Sequence, residues 1–193
     1  AIVNNFVPLL FLTFQSTYKI PLSQITMLIT VNFLVQLTID LLCTGFVDKI
    51  GYRASIIAAH VFSGAGLVLL TFLPDILGPF PGILTAVCIY AVGGGLIEVL
   101  VSPIVEATPS DNKEKAMSLL HSFYCWGSVG VVLISTLFFR LFGTTHWKIL
   151  AIAWAVIPAA NILLFVSAPI ASLTSEEDSG MSLKELFSQK IFW

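Results

Sequence analysis

Six apolar stretches follow one another along this chain, at residues 1–17, 22–47, 53–73, 81–106, 115–141 and 147–169. A bilayer's hydrocarbon core is about 30 Å thick and takes about 20 residues of helix to cross. Inside lipid every backbone donor and acceptor must be satisfied within the protein, so only helices and closed barrels span it. A barrel would show alternating apolar and polar positions in segments of about ten residues, and these stretches are continuous instead. The sequence therefore predicts an all-α membrane protein, a bundle of six transmembrane helices. The breaks between stretches carry turn chemistry: Lys19-Ile20-Pro21, Asp48-Lys49-Ile50-Gly51, Pro74-Asp75 with Gly78-Pro79, Thr108-Pro109-Ser110-Asp111-Asn112, and Gly143-Thr144-Thr145.

Composition excludes the other classes. Hydrophobic residues make up 57% of the 193 residues and charged ones 10%, whereas a soluble domain carries about 25% charged residues. Mean hydropathy is +0.96, which excludes a disordered chain. The net charge of −2 leaves no basic excess to hold nucleic acid. Cys43, Cys88 and Cys125 lie in apolar runs and give neither a disulfide framework nor a metal-ligand spacing. No His, Cys and carboxylate arrangement suggests zinc, no cofactor is implied, and no nucleophile stands beside a base, so an enzyme is not expected.

Orientation follows from the basic residues. Lys49, Arg53, Lys113, Lys115, Lys184 and Lys190 fall on one side, and Lys19, Arg140 and Lys148 on the other. The richer side is predicted to be cytoplasmic. Ala1 opens directly inside an apolar helix, and Ile191-Phe192-Trp193 reads as the first turn of another apolar segment. Residues 1–169 are thus expected to be the N-terminal transmembrane domain of a longer protein. Residues 170–193 would be a cytoplasmic central linker and the start of a seventh helix, with a capping-box pattern at Ser182-Leu183-Lys184-Glu185.

Few ionisable residues interrupt the apolar runs. Glu98 lies about 12 Å above the cytoplasmic end of its helix, and on the next helix His121 and Tyr124 lie about 9 and 13 Å up, at 1.5 Å per residue. These three side chains can meet at one level. Pro103 cannot donate to the Val99 carbonyl and so leaves a free acceptor beside Glu98. A carboxylate at that depth costs about 2.5–3.5 kcal/mol unless it faces a cavity, pairs or binds a proton. It is therefore either a proton carrier or structural glue between helices. Asp40 and His60, each about 10 Å from the cytoplasmic boundary, are expected to pair and steady the hairpin of the second and third helices; a proton relay is their other use. His121 is either a substrate contact or a packing residue. Small residues at Gly93-Gly94-Gly95, at Ala59 with Ser63, and at Ala151, Ala155 and Ala159 mark close helix contacts. Pro8, Pro103 and Pro158 mark kinks, and Trp126, Trp147 and Trp154 packing or interface positions.

The loop Thr44-Gly45-Phe46-Val47-Asp48-Lys49-Ile50-Gly51-Tyr52-Arg53 resembles the signature loop of the major facilitator superfamily, Gly-x-x-x-Asp-Arg/Lys-x-Gly-x-Arg/Lys, between helices two and three. Asp48, Lys49, Gly51 and Arg53 match, while Thr44 takes the leading glycine's place and Gly45 comes one residue late. A narrower resemblance joins Gly95-Leu96-Ile97-Glu98 through Pro103, and His121 to Tyr124, to the fucose permease-like branch. There a glutamate five residues before a proline is linked to proton coupling. Glutamine and asparagine contact the sugar at the positions aligned with His121 and Tyr124, and Asn4-Asn5 is similar to that branch's first helix. The acidic residue expected soon after is replaced by Pro8.

The resemblance implies the N-terminal six-helix half of a twelve-helix secondary active transporter, partnered by a C-terminal half of the same protein. It implies proton-coupled symport of a small polar solute such as a sugar by alternating access. Glu98 would couple the proton, His121, Tyr124, Asn4 and Asn5 would bind substrate, and Asp48, Lys49, Gly51 and Arg53 would form a gate loop. A bacterial inner (plasma) membrane is the expected location. Alternatives are a proton-coupled drug or metabolite exporter, or a non-transporting receptor or assembly protein on the same scaffold.

Overall fold

The computed structural model describes residues 1–170, apart from the side chains of Thr44 and Asp48. The expected linker and capping box lie outside the described residues. Every regular element among them is helical: α1 (Ile2–Leu9), α2 (Phe11–Tyr18), α3 (Leu22–Ile50), α4 (Tyr52–Leu69), α5 (Leu73–Ile76), α6 (Pro79–Ala107), α7 (Lys113–Phe142) and α8 (Trp147–Ser167), with a 3-10 turn at Thr144–His146. Five of these, α3, α4, α6, α7 and α8, are long and apolar enough to cross a membrane.

The first stretch breaks where Pro8 was expected to kink it, and each half is shorter than the single span expected of residues 1–17. It forms two eight-residue helices, α1 and α2, that meet at Leu10. Pro8 is the cause: it lacks the N–H that would bond the Asn4 carbonyl, and its ring crowds that turn. Pro103 and Pro158 also sit inside helices, yet α6 and α8 run on through them. The boundaries follow local chemistry. Asn112 caps α7 by accepting a hydrogen bond from the Lys115 backbone N–H at 2.8 Å. Gly51 ends α3 at φ +92°, in the left-handed region that side chains avoid, and lets α4 start one residue later.

The centre of the bundle is α6, and glycine puts it there. A Cβ on Gly66 of α4 would stand 2.6 Å from the Tyr90 backbone nitrogen, and one on Gly93 would stand 2.5 Å from the Ala59 carbonyl oxygen. These two contacts, three residues apart on α6 and seven apart on α4, hold the helices backbone to backbone. On the adjoining face, a Cβ on Gly95 would lie 3.0 Å from the Gln36 carbonyl oxygen of α3. In lipid no hydrophobic drive joins helices, so this close approach supplies the association through dispersion contacts. α8 lies against the other side of α4, where Pro158 touches the Gly64 site at 3.5 Å. α7 packs on α1 and α6.

Both ends of α8 are tied by charge. On one face Lys148 Nζ meets Asp75 Oδ2 at 2.6 Å. On the other, Arg53 donates from Nη1 to the carbonyls of Phe165 at 3.0 Å and Val166 at 2.7 Å. Arg53 thus caps the last turn of α8, where unsatisfied carbonyls and the negative end of the helix dipole favour a cation. The 51–53 turn and the end of α8 share one face, and Asp75 and the start of α8 share the other.

The buried apolar residues fall into two clusters. One gathers Phe6, Leu10, Phe14, Ile25, Leu28, Leu67, Leu70, Val87, Tyr90, Trp147 and their neighbours, and the other gathers Cys43, Val47, Ile56, Ala59, Leu96 and Leu100. Between them, read along α3, come Asn32, Gln36 and Asp40, and along α4 come His60 and Ser63. A polar belt therefore crosses the bundle between two apolar cores.

Candidate functional site

The belt opens into a cavity of about 340 Å³ between α1, α6 and α7, lined by Asn4, Glu98, His121 and Tyr124 together with Val3, Gly94, Ile97, Val101, Ser102 and Leu120. Each helix brings its polar residue to this level for a local reason. Glu98 lies four residues after Gly94, on the face of α6 that also lines the cavity, and is exposed. His121 and Tyr124 are three apart on α7 and share a face. Tyr124 is 52% exposed and lines the cavity. Among the described residues the one ion pair is Lys148 with Asp75; Glu98 has no basic side chain in contact.

Asn4 belongs to a network on the cavity's α3 side. Its Oδ1 accepts from Gln36 Nε2 at 2.8 Å and from Asn32 Nδ2 at 3.4 Å. Gln36 is 3% exposed and Asn32 6%. The Asn32 Oδ1 is buried without a partner, and Asn32 lines a small second cavity of about 50 Å³ with Asn4, Pro8 and Tyr90. That volume admits water.

Asn5 does not face the main cavity. Its Nδ2 donates to the Ala1 carbonyl at 2.7 Å and to Ser128 Oγ at 3.2 Å, tying α1 to α7. Consecutive helical residues point about 100° apart, so Asn4 and Asn5 cannot share one wall.

The expected pair of Asp40 with His60 is not formed. His60 Nδ1 donates to the Ile56 carbonyl at 2.8 Å, and Nε2 accepts from Asn161 Nδ2 at 3.2 Å. Its partner is therefore on α8 rather than α3, because α4 turns its buried face to α6 and α8. Asp40 keeps one carboxylate oxygen buried and unbonded. In the gate loop, Gly51 makes the turn and Arg53 caps α8, while the Asp48 side chain lies outside the described residues. Lys49 is exposed beside the turn.

Gln36, Asn32 and Asn161 were not read from the sequence. The first two carried a signal: 32, 36 and 40 are spaced by four, which lays three polar side chains on one stripe of an otherwise apolar helix. Among the described residues no group of three or more His, Cys, Asp or Glu could hold a metal ion.

The chain is thus a bundle of membrane-length helices with a cavity, lined in part by polar side chains, between α1, α6 and α7. The sequence model described as Major Facilitator Superfamily matches residues 1–193, and the chain belongs to that superfamily. It is an integral membrane protein of a transporter family. The match does not distinguish the fucose permease-like branch from others. No curated protein and no solved structure matches the chain.

Proposed function

We propose that this chain is the N-terminal half of a proton-coupled symporter for a small polar solute such as a sugar, working by alternating access in a bacterial inner membrane. The observation that carries the reading is the cavity in which Glu98, Asn4, His121 and Tyr124 converge. An acid facing a small cavity has two favourable states. Protonated, it donates to a solute or to the carbonyl freed by Pro103; ionised, it needs water in the cavity. A proton that changes which partners are favourable biases a two-state equilibrium by that difference. The wall on the far side would come from a C-terminal half covering α3 and α7, with the two halves rocking about the site. Arg53, Lys49, Gly51 and Asp48 would control the cytoplasmic side.

The test uses the intact protein in proteoliposomes with an imposed pH gradient and labelled aldohexoses. Wild type should accumulate solute against its gradient. Glu98→Gln should abolish accumulation and keep solute exchange, which moves no net proton. If Glu98→Gln still drives uphill transport, Glu98 is structural and Asp40 is the next acid to test. Solute efflux driven by the same gradient would instead make the protein an exporter.

A further inference from the structure

The amide cluster on α1 and α3 gives the cavity a polarity that Glu98, His121 and Tyr124 do not. Asn4 Oδ1 is occupied by two donors from α3, at 2.8 Å from Gln36 and 3.4 Å from Asn32. A carboxamide has one acceptor oxygen and one NH₂, so a doubly engaged oxygen turns the NH₂ the other way. Asn4 lines the main cavity, and its Nδ2 bonds to none of the described residues. The geometry points to Gln36 and Asn32 as positioning residues that fix the Asn4 amide with its donor toward the cavity, so that the site selects a solute presenting an oxygen acceptor, such as a hydroxyl, ring or carbonyl oxygen, at that point.

Gly94 is part of the same device. A Cβ at Gly94 would lie 2.7 Å from Gln36 Nε2 and 3.3 Å from Val3 Cγ2. Only the missing side chain leaves room for the Gln36 amide to cross α6 and reach α1. The three consecutive glycines thus divide their work: Gly93 admits α4, Gly95 admits α3, and Gly94 admits one side chain's hydrogen bond. Gln36 is 3% exposed and Asn4 accepts from it across two helices, so neither amide can turn without leaving a buried donor unpaired. An unpaired buried donor is costly, and this locks the orientation. The Gln36 amide acts through Asn4 and does not itself line the cavity.

This inference rests on the transport reading above, and the experiment separates the two. Uptake is measured with labelled aldohexoses and their monodeoxy analogues, using the intact protein in proteoliposomes. The variants are Gln36→Met, which keeps side-chain volume, Gly94→Ala, which changes no polar group, Asn4→Leu, and Gln36→Met combined with Asn4→Leu. Each single variant should raise KM by about three- to tenfold, the worth of one hydrogen bond, with kcat unchanged. The double variant should be no worse than Asn4→Leu alone, because both remove the same contact. The monodeoxy analogue that wild type transports worst should lose that handicap in Gln36→Met. Gln36→Met and Gly94→Ala at wild-type KM, or a double variant whose effects multiply, overturns the positioning role while leaving a Glu98-dependent transporter standing. If wild type moves none of the sugars, the transport reading itself has failed and this inference falls with it.

Discussion

A Cβ at Gly66 would fall 2.6 Å from the Tyr90 backbone nitrogen, and backbone cannot step aside as a side chain can. Gly66→Ala should therefore cost stability in the range of about 1–3 kcal/mol typical of overpacking. Gly130 of α7 has nothing within 4 Å of the same position, so Gly130→Ala should be neutral or stabilising by up to about 1 kcal/mol. Detergent thermal denaturation of the two variants side by side checks the sign: a stable Gly66→Ala would mean that α4 and α6 do not cross there. The three-glycine run of α6 was legible in the sequence as a helix contact. Which neighbour each glycine admits was not, because residues 100° apart around a helix meet different partners and the sequence does not give the rotation. The same limit hid the partner of His60. Sequence order makes Asp40 on the preceding helix the natural choice, whereas the buried face of α4 turns His60 to Asn161 at 3.2 Å. Asn161→Leu should consequently strip His60 Nε2 of its donor and destabilise by about 1–3 kcal/mol. His60→Leu in the same background should recover part of that loss, a coupling that a double-mutant cycle on thermal stability reads directly.

At the scale of whole helices, length and hydropathy were enough to place α3, α4, α6, α7 and α8 within a few residues of where they lie. The expected 115–141 became Lys113–Phe142, and 147–169 became Trp147–Ser167. In the first stretch hydropathy sees residues 1–17 as uniform, while Pro8, read as a kink, stands beside the break at Leu10 because it lacks the N–H that would continue the turn. The short helix α5 (Leu73–Ile76) was read as loop, since Pro74-Asp75 is turn chemistry that also suits the first turn of a helix. Alternation of the long helices, with the Arg53 contact on one face and Lys148 with Asp75 on the other, requires residues 75 and 112 to be on opposite sides of the membrane. Asp75→Cys and Asn112→Cys should react with an impermeant thiol reagent from opposite sides of intact cells. Reaction of both from one side would sink the topology.

Across the whole molecule, two apolar clusters enclose the polar belt, while much of α3 and α7 stays bare. Phe33, Leu34 and Leu37 on α3 and Val129, Leu133 and Leu137 on α7 are each at least 49% exposed. If a second six-helix unit covers these faces in the intact protein, a fluorophore attached at Leu37→Cys or Leu133→Cys should escape quenching by lipids brominated on their acyl chains. One at Leu163→Cys on α8, which is 73% exposed, should be quenched. Quenching at all three would leave α3 and α7 facing lipid.

The ties along α8 carry a mechanical consequence. This helix is tied at both ends: to Asp75 at its start, and to His60 and Arg53 within its last two turns. Ties at both ends resist pivoting of α8, and the glycine contacts hold α4 to α6. α7 packs on α1 and α6, and its polar ties to other helices among the described residues are two single hydrogen bonds, Asn5 on Ser128 and Trp154 on Ser135. α7 is also the wall that carries His121 and Tyr124. A helix with few polar ties and one side of the cavity are therefore the same.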